Sequence, residues 1–468
     1  MSKNLVYDIN DRPQFSKLIV FAIQQLLAII AATIAVPAIV GNGMSASAAL
    51  FGAGVGTIVY QLFTKFRSPV FLGSSFAFIG SMSAAFAGAA TMSLGYLGLL
   101  LGATFGGLVY VVIAVLVKFV GVNWINKLMP PVVIGPTVAL IGLSLAGAAV
   151  KDVFSYGPQT SDGAFIMSTG AWLSLICALV TLVVVILCST YGKKMTKLIP
   201  FIIGVLSGYA VALLFTVIGY IAGADAMKVI DFAPFTALVS DGVKFTTFLS
   251  LPDFAFVEAI KGFKDFEWSY LATVAVAYIP VAFVVFAEHI ADHKNLSSII
   301  EKDLIEDPGL YKTLLGDGVG SIAGTAFGVC PNTTYGESVG CVAITKNASV
   351  ITVTTAAIMS MVISFFGPFV TFLSSIPNCV MGGVCVALYG FIAVSGLKMI
   401  QKVDLNDSRN LFVVSSILIP GVGGLSLSFG KVTITTVACS LIIGIVTNIL
   451  LNKFKKPEVE EENSQENE

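Results

Sequence analysis

The sequence predicts an all-α polytopic membrane protein with fourteen transmembrane segments in two inverted seven-span repeats, spans 3 and 10 being broken by short extended stretches. Three observations carry that reading. Of 468 residues, 56% are hydrophobic and only 11% charged, too little polar surface to cover a soluble core. Apolar runs of the length a bilayer core demands, about 17–25 residues, recur along the chain. Two apolar regions, seven crossings apart, also carry proline and glycine where a continuous helix would not.

The elements follow in order. Residues 1–17 are polar and are followed by a long apolar span with no small-residue cleavage pattern, so no cleavable signal peptide is expected. Apolar runs begin near Leu18, Leu50, Leu97, Val132, Ala171, Pro200 and Tyr270. Shorter or interrupted segments lie at 70–88, 314–328 and 337–345, and full-length spans are expected near 349–372, 377–397, 411–428 and 432–452. Placing the N-terminus inside puts six of the 26 Lys and Arg outside (Lys151, Lys228, Lys244, Lys261, Lys264 and Lys431) and leaves the other twenty on the cytoplasmic side. Four of the six share one long loop, 223–267, where the bias is weakest. Losing or adding a crossing would invert the bias downstream, so both termini are expected in the cytoplasm. The acidic end, 457–468, reads as a disordered tail.

Residues 132–142, VVIGPTVALIG, align with 380–390, VMGGVCVALYG, in the fifth and twelfth spans. An odd number of crossings separates the copies, so they run in opposite directions, as an inverted repeat requires. The same offset pairs the two broken spans. In 328–346, GVCPNTTYGESVGCVAITK, Pro331 removes a donor, Thr333 and Thr334 are β-branched, and Gly336 and Gly340 flank the carboxylate of Glu337. Its counterpart, 68–86, has Pro69, then Gly73, Ser74 and Ser75, then a helix too short to span. Broken backbone at membrane depth is tolerated only beside protein or a water-filled cavity, and two such breaks in corresponding positions point to a transporter's binding site. Re-entrant turns or packing kinks are the bland alternative.

The eighth span ends in AEHIADH. Glu288 and Asp292 share one helix face, and the chain's only two histidines, His289 and His293, share another about 100° away. A carboxylate pair on one face can hold a substrate N–H and carry a proton. Counting from Trp268 and Tyr270 puts Glu288 near the inner edge of the hydrocarbon, which leaves a plain polar helix end open. An intramembrane acid such as Glu337 is functional by default. The seven cysteines, all in apolar sequence without metal-ligand spacing, read as small hydrophobes, so no metal or cofactor is expected. An enzyme would need a third partner for the His/Asp cluster, and a passive channel would not need two broken half-helices in inverted register. A net charge of −1 gives no sign of a nucleic-acid partner.

The motifs LGSSFAF (72–78), AEHIADH (287–293), PNTTYGESVG (331–340) and VMGGVCVALYG (380–390) resemble the nucleobase–ascorbate transporter family over nearly the whole chain, from about Asp11 to Lys455. The resemblance implies a core domain at 14–120 (spans 1–4) and 268–372 (spans 8–11), with a gate domain at 130–222 (spans 5–7) and 377–453 (spans 12–14) that provides a homodimer contact. It also implies nucleobase uptake across the cell membrane together with protons, and so a nucleobase, a proton and the lipid bilayer as partners. Carried over residue by residue, Glu288 and Glu337 bind the base, the backbone at Tyr335 and Gly336 faces it, Phe76 lies opposite and Tyr389 lies near the site. Two positions depart from the family pattern. Ser338 stands where the signature has asparagine, and Asp292, with His293 beside it, stands where the uracil type has histidine. Glu288, His289, Asp292 and His293 are therefore all candidates for proton coupling. Glu337 within PNTTYGE points to uracil, whereas Asp292 points to xanthine or another purine.

Overall fold

The computed structural model describes residues 5–121, 124, 129–240, 242–429 and 432–453. The tail expected at 457–468 lies outside them. Among the described residues, nine helices are long and apolar enough to cross a membrane. In chain order they are α1 (Phe15–Val40), α2 (Ala46–Phe63), α4 (Met92–Val120), α5 (Pro131–Val153), α6 (Thr169–Tyr191), α7 (Pro200–Ala222), α8 (Trp268–Ile300), α12 (Asn378–Ile400) and α14 (Thr436–Lys453). Other helices include α3 (Ile79–Ala87), α9 (Leu310–Gly328), α10 (Gly336–Thr345), α11 (Val350–Ile363) and α13 (Ser408–Val422). Local chemistry sets many of the starts. Ser45, Thr91 and Ser168 cap α2, α4 and α6 by accepting from the backbone N–H three residues on, and Pro131 and Pro200 open α5 and α7 at a position where no donor is needed. Much of the outward surface is apolar, as on α7, where Leu206, Leu214 and Ile221 are exposed. This is a multi-pass membrane protein.

Small residues decide which helices touch. Gly52 and Gly56 of α2 face Gly324, Gly328 and Gly320 of α9 backbone to backbone, so a side chain at either place would collide. The repeated motifs pack on each other. A methyl added at Gly142 of α5 would lie 2.5 Å from the Tyr389 carbonyl oxygen of α12, and one at Gly135 would lie 2.9 Å from Ile400 Cγ1.

The two interrupted segments meet. Strand β1 (Leu72–Ser74) pairs antiparallel with β2 (Asn332–Thr334), Leu72 opposite Thr334, Gly73 opposite Thr333 and Ser74 opposite Asn332. Neighbouring side chains and carbonyls satisfy the exposed backbone. Thr57 Oγ1 accepts from Leu72 N (2.9 Å), Gln61 Nε2 donates to the Ser68 and Val70 carbonyls (2.9 and 3.2 Å), Asn332 N donates to Ser321 Oγ (3.0 Å), and Ser75 N donates to the Pro331 carbonyl (2.8 Å). Backbone that could not survive in lipid is thus held by hydrogen bonds inside protein.

Two expected spans are shorter than anticipated. The run 349–372 is not one helix: α11 stops at Ile363 and a second helix, Gly367–Ser374, starts at Gly367–Pro368. Outer-loop Ser250 donates its N–H to the Phe365 carbonyl in the gap (2.8 Å). The run 411–428 ends as helix at Val422, where Pro420, Gly421, Gly423 and Gly424 crowd together; the chain then turns through β3 (Leu427–Phe429) and β4 (Val432–Ile434).

Candidate functional site

Directly after the paired strands each segment turns into a helix, and the residues at those turns line a cavity of about 410 Å³, small-molecule size. From the first segment comes Phe76. From the second come Thr334, Tyr335, Gly336 and Glu337, at the start of α10. The α10 N-terminus has no side-chain cap, so its first N–H groups are available beside Gly336, an anion- and carbonyl-favouring end. Helix α8 presents Val284, Glu288, Ala291 and Asp292, spaced i, i+4, i+7 and i+8, as one continuous face. Glu288, Asp292 and Glu337 are half-buried and line the cavity. Asp292 Oδ2 accepts from Thr334 Oγ1 at 2.7 Å, which joins α8 to β2. The polar helix end that sequence counting left open is not what the structure contains: α8 runs on to Ile300, three turns past Glu288.

The opposite wall is apolar. Val138 and Ile141 of α5, Leu388 and Ile392 of α12 and Phe201 of α7 form it. Sequence reasoning did not single these out, yet three of them, Val138, Ile141 and Leu388, lie inside the repeated motifs, so the repeat was their signal. Tyr389 stands behind the wall rather than in it, with its ring edge-on to Phe76 at 6.3 Å. The phenol of Tyr335 also turns away, its hydroxyl donating to the Ser74 carbonyl at 2.8 Å, so Tyr335 offers the cavity its backbone.

Three other sequence candidates lie outside the cavity lining. Ser338 is fully buried, and its Oγ accepts from Gln25 Nε2 (2.5 Å) and from Phe71 N (3.1 Å), tying α10 to α1 and to the approach of β1. His289 and His293, also fully buried, sit on the far side of α8. His289 Nδ1 lies 2.7 Å from Asp317 Oδ2, and His293 Nε2 lies 2.7 Å from the Tyr60 hydroxyl. Asp317, inside α9, was missed although an acid within the apolar segment 314–328 was itself a signal; only the fold shows that its partner is His289. Among the described residues no group of three or more His, Cys, Asp or Glu is arranged to hold a metal ion.

Comparison with known proteins adds to this geometry. A family model described as Permease family, Xan_ur_permease, matches residues 16–429. The chain is 36% identical to the uracil permease of Bacillus subtilis (strain 168) over 98% of both chains, and 37% identical to the uracil permease of Bacillus caldolyticus over 95% of this chain and 94% of that one. Among solved structures, the transmembrane domain of a cyanobacterial bicarbonate transporter, BicA, superposes with a TM-score of 0.62 over 94% of this chain and 100% of that one. At 13% identity that likeness speaks for the fold alone.

Proposed function

We propose a function from one premise: this chain belongs to the nucleobase–ascorbate transporter family, the permease family whose model covers most of it, and is a transporter, not an enzyme. The reading supported best is proton-coupled uptake of uracil by alternating access. The meeting of Glu288, Glu337 and the open α10 N-terminus in one small cavity carries it. Uracil presents two N–H donors and two carbonyl acceptors in one plane. Carboxylates accept from the N–H groups, backbone N–H at Gly336 and Glu337 donates to a carbonyl, Phe76 covers the ring, and Tyr389 steadies Phe76. The relatives' names support uracil as the base.

Asp292 is the proton carrier in this reading, because it shares the cavity with Glu288 and Glu337 and has a hydroxyl partner of its own. His289 and His293, turned away from the cavity, are not. Helices α1–α4 and α8–α11 form the moving core and α5–α7 and α12–α14 the gate, a division supported by α2 packing on α9 and α5 on α12. Fourteen crossings in inverted repeats, cytoplasmic termini and a homodimer through the gate complete the reading. A second reading, a purine such as xanthine, draws support from the acidic residue at Asp292.

The experiment is uptake into liposomes holding the purified protein. An inward proton gradient should accumulate labelled uracil, a protonophore should abolish accumulation, and unlabelled uracil should compete better than xanthine, hypoxanthine or uric acid. Asp292→Asn should still exchange uracil across the membrane while failing to accumulate it. Uptake indifferent to the protonophore would refute symport, and stronger competition by xanthine would move the substrate to the purines.

A further inference from the structure

Helix α8 has two working faces, and the function above uses only one. The back face carries both histidines. Four residues apart, they stack with ring centroids 4.1 Å apart and reach different helices: His289 reaches Asp317 and Thr313 of α9, and His293 reaches Tyr60 of α2. Helices α2 and α9 are themselves locked glycine to glycine, so together they form a stiff backing for α8.

Hydrogen accounting fixes the state of the His289–Asp317 pair. The Thr313 hydroxyl has one hydrogen, and it donates to the Leu310 carbonyl at 3.0 Å. Thr313 Oγ1 therefore accepts from His289 Nε2–H at 3.0 Å. A second proton lies between His289 Nδ1 and Asp317 Oδ2, 2.7 Å apart, whichever atom holds it. Either way the pair as a whole is neutral, holds one shared proton and is fully buried. His293 Nδ1 faces the His289 carbonyl at 2.8 Å and so donates to it, continuing the same ladder.

We propose that the His289–Asp317 pair is a latch that sets the rotation of α8 about its axis and so aims Glu288 and Asp292 into the cavity; His289 and Asp317 are positioning residues, outside the path of the coupled proton. This rests on the substrate reading above. Its physical basis is that removing either partner leaves the other buried and unpaired, a cost α8 can relieve only by turning or shifting. A turn of one residue is about 100°, so even a small fraction of it displaces the Glu288 carboxylate from its partner on the base.

Two substitutions of similar size separate the contacts. His289→Asn places an amide donor where Nδ1 was and keeps the bond to Asp317. His289→Gln places it where Nε2 was, keeping Thr313 and stranding Asp317. Uracil affinity measured by calorimetry on purified protein should stay within about 3-fold of the parent in His289→Asn and fall roughly 10-fold or more in His289→Gln. Asp317→Asn, whose amide N–H can donate to the bare Nδ1 of a neutral His289 while Nε2–H stays on Thr313, should also keep its affinity. His289→Asn and Asp317→Asn should both accumulate uracil with the parent's pH profile. Equal affinity in His289→Asn and His289→Gln would overturn the latch, as would loss of accumulation with retained exchange in His289→Asn or Asp317→Asn, which would put the pair in the proton path. If either His289 variant fails to fold, Asp317→Asn decides alone through its affinity and pH profile. Failure of the parent protein to bind uracil would refute the substrate reading, and the same comparison would then be made with the base that competes best.

Discussion

The two interrupted segments are built alike and loaded differently. Each runs from a proline into a three-residue strand, leaves that strand for a short helix, and puts the residue at the turn into the same cavity. The first segment enters through a 3-10 turn, Phe76–Phe78, and delivers an aromatic ring. The second enters an α-helix directly at Gly336 and delivers a carboxylate beside a helix N-terminus that has no side-chain cap. A shared scaffold thus fixes where the side chains arrive, and the residue at the turn decides the chemistry. In the proposed site the first segment would contribute shape and the second hydrogen bonds.

That contrast breaks if the halves prove interchangeable. The largest effect is expected from Glu337→Gln, which turns an acceptor toward the base into a donor and should weaken uracil binding roughly 10- to 100-fold. Unchanged affinity by calorimetry would mean that the second segment carries no more of the binding than the first. Gly73→Ala comes next and acts on the scaffold both halves share. The added methyl meets the Tyr335 ring across the strand pair, at a cost of about 1–3 kcal/mol to the fold, seen as a lower melting temperature in detergent. A native melting curve would show that the strands separate without penalty. For Phe76→Ala, loss of the ring over the base should cost about 1 kcal/mol, roughly 5-fold in affinity, with competition among nucleobases unchanged. A switch in preferred base would give the first segment a role in selectivity and dissolve the contrast. On uracil affinity Ser338→Ala should do least. It strands two buried donors, Gln25 Nε2 and Phe71 N, at a cost of about 1–3 kcal/mol of stability, and leaves uracil affinity intact; a large affinity loss would return Ser338 to the binding site.

Much of this was legible in the residues. Apolar run length gave the membrane class, and the run starts expected from Leu18 to Tyr270 fall at or a few residues inside the observed helices. Pro69 and Pro331 marked both breaks because small, β-branched or glycine residues follow each of them; a proline alone does not break a span, since α1, α5 and α8 carry Pro37, Pro136 and Pro280 inside them. What pairs with what was not legible. Three-residue strands are too short to show alternation, and Leu72 meets Thr334 only because the fold carries two distant segments together. Ser338 shows the same limit, since its motif position says it is near the site but not that Gln25 and Phe71 hold it outside the cavity.

Helix α8 marks the boundary most sharply. Its 3.6-residue period alone determined that Glu288 and Asp292 share one face while His289 and His293 share another. Period is blind to rotation, however, and gives no means of choosing which face looks into the cavity. That choice belongs to contacts across the fold, from His289 to Asp317, 28 residues away, and from His293 to Tyr60, 233 residues away, because a buried imidazole must find its partner before the helix can come to rest.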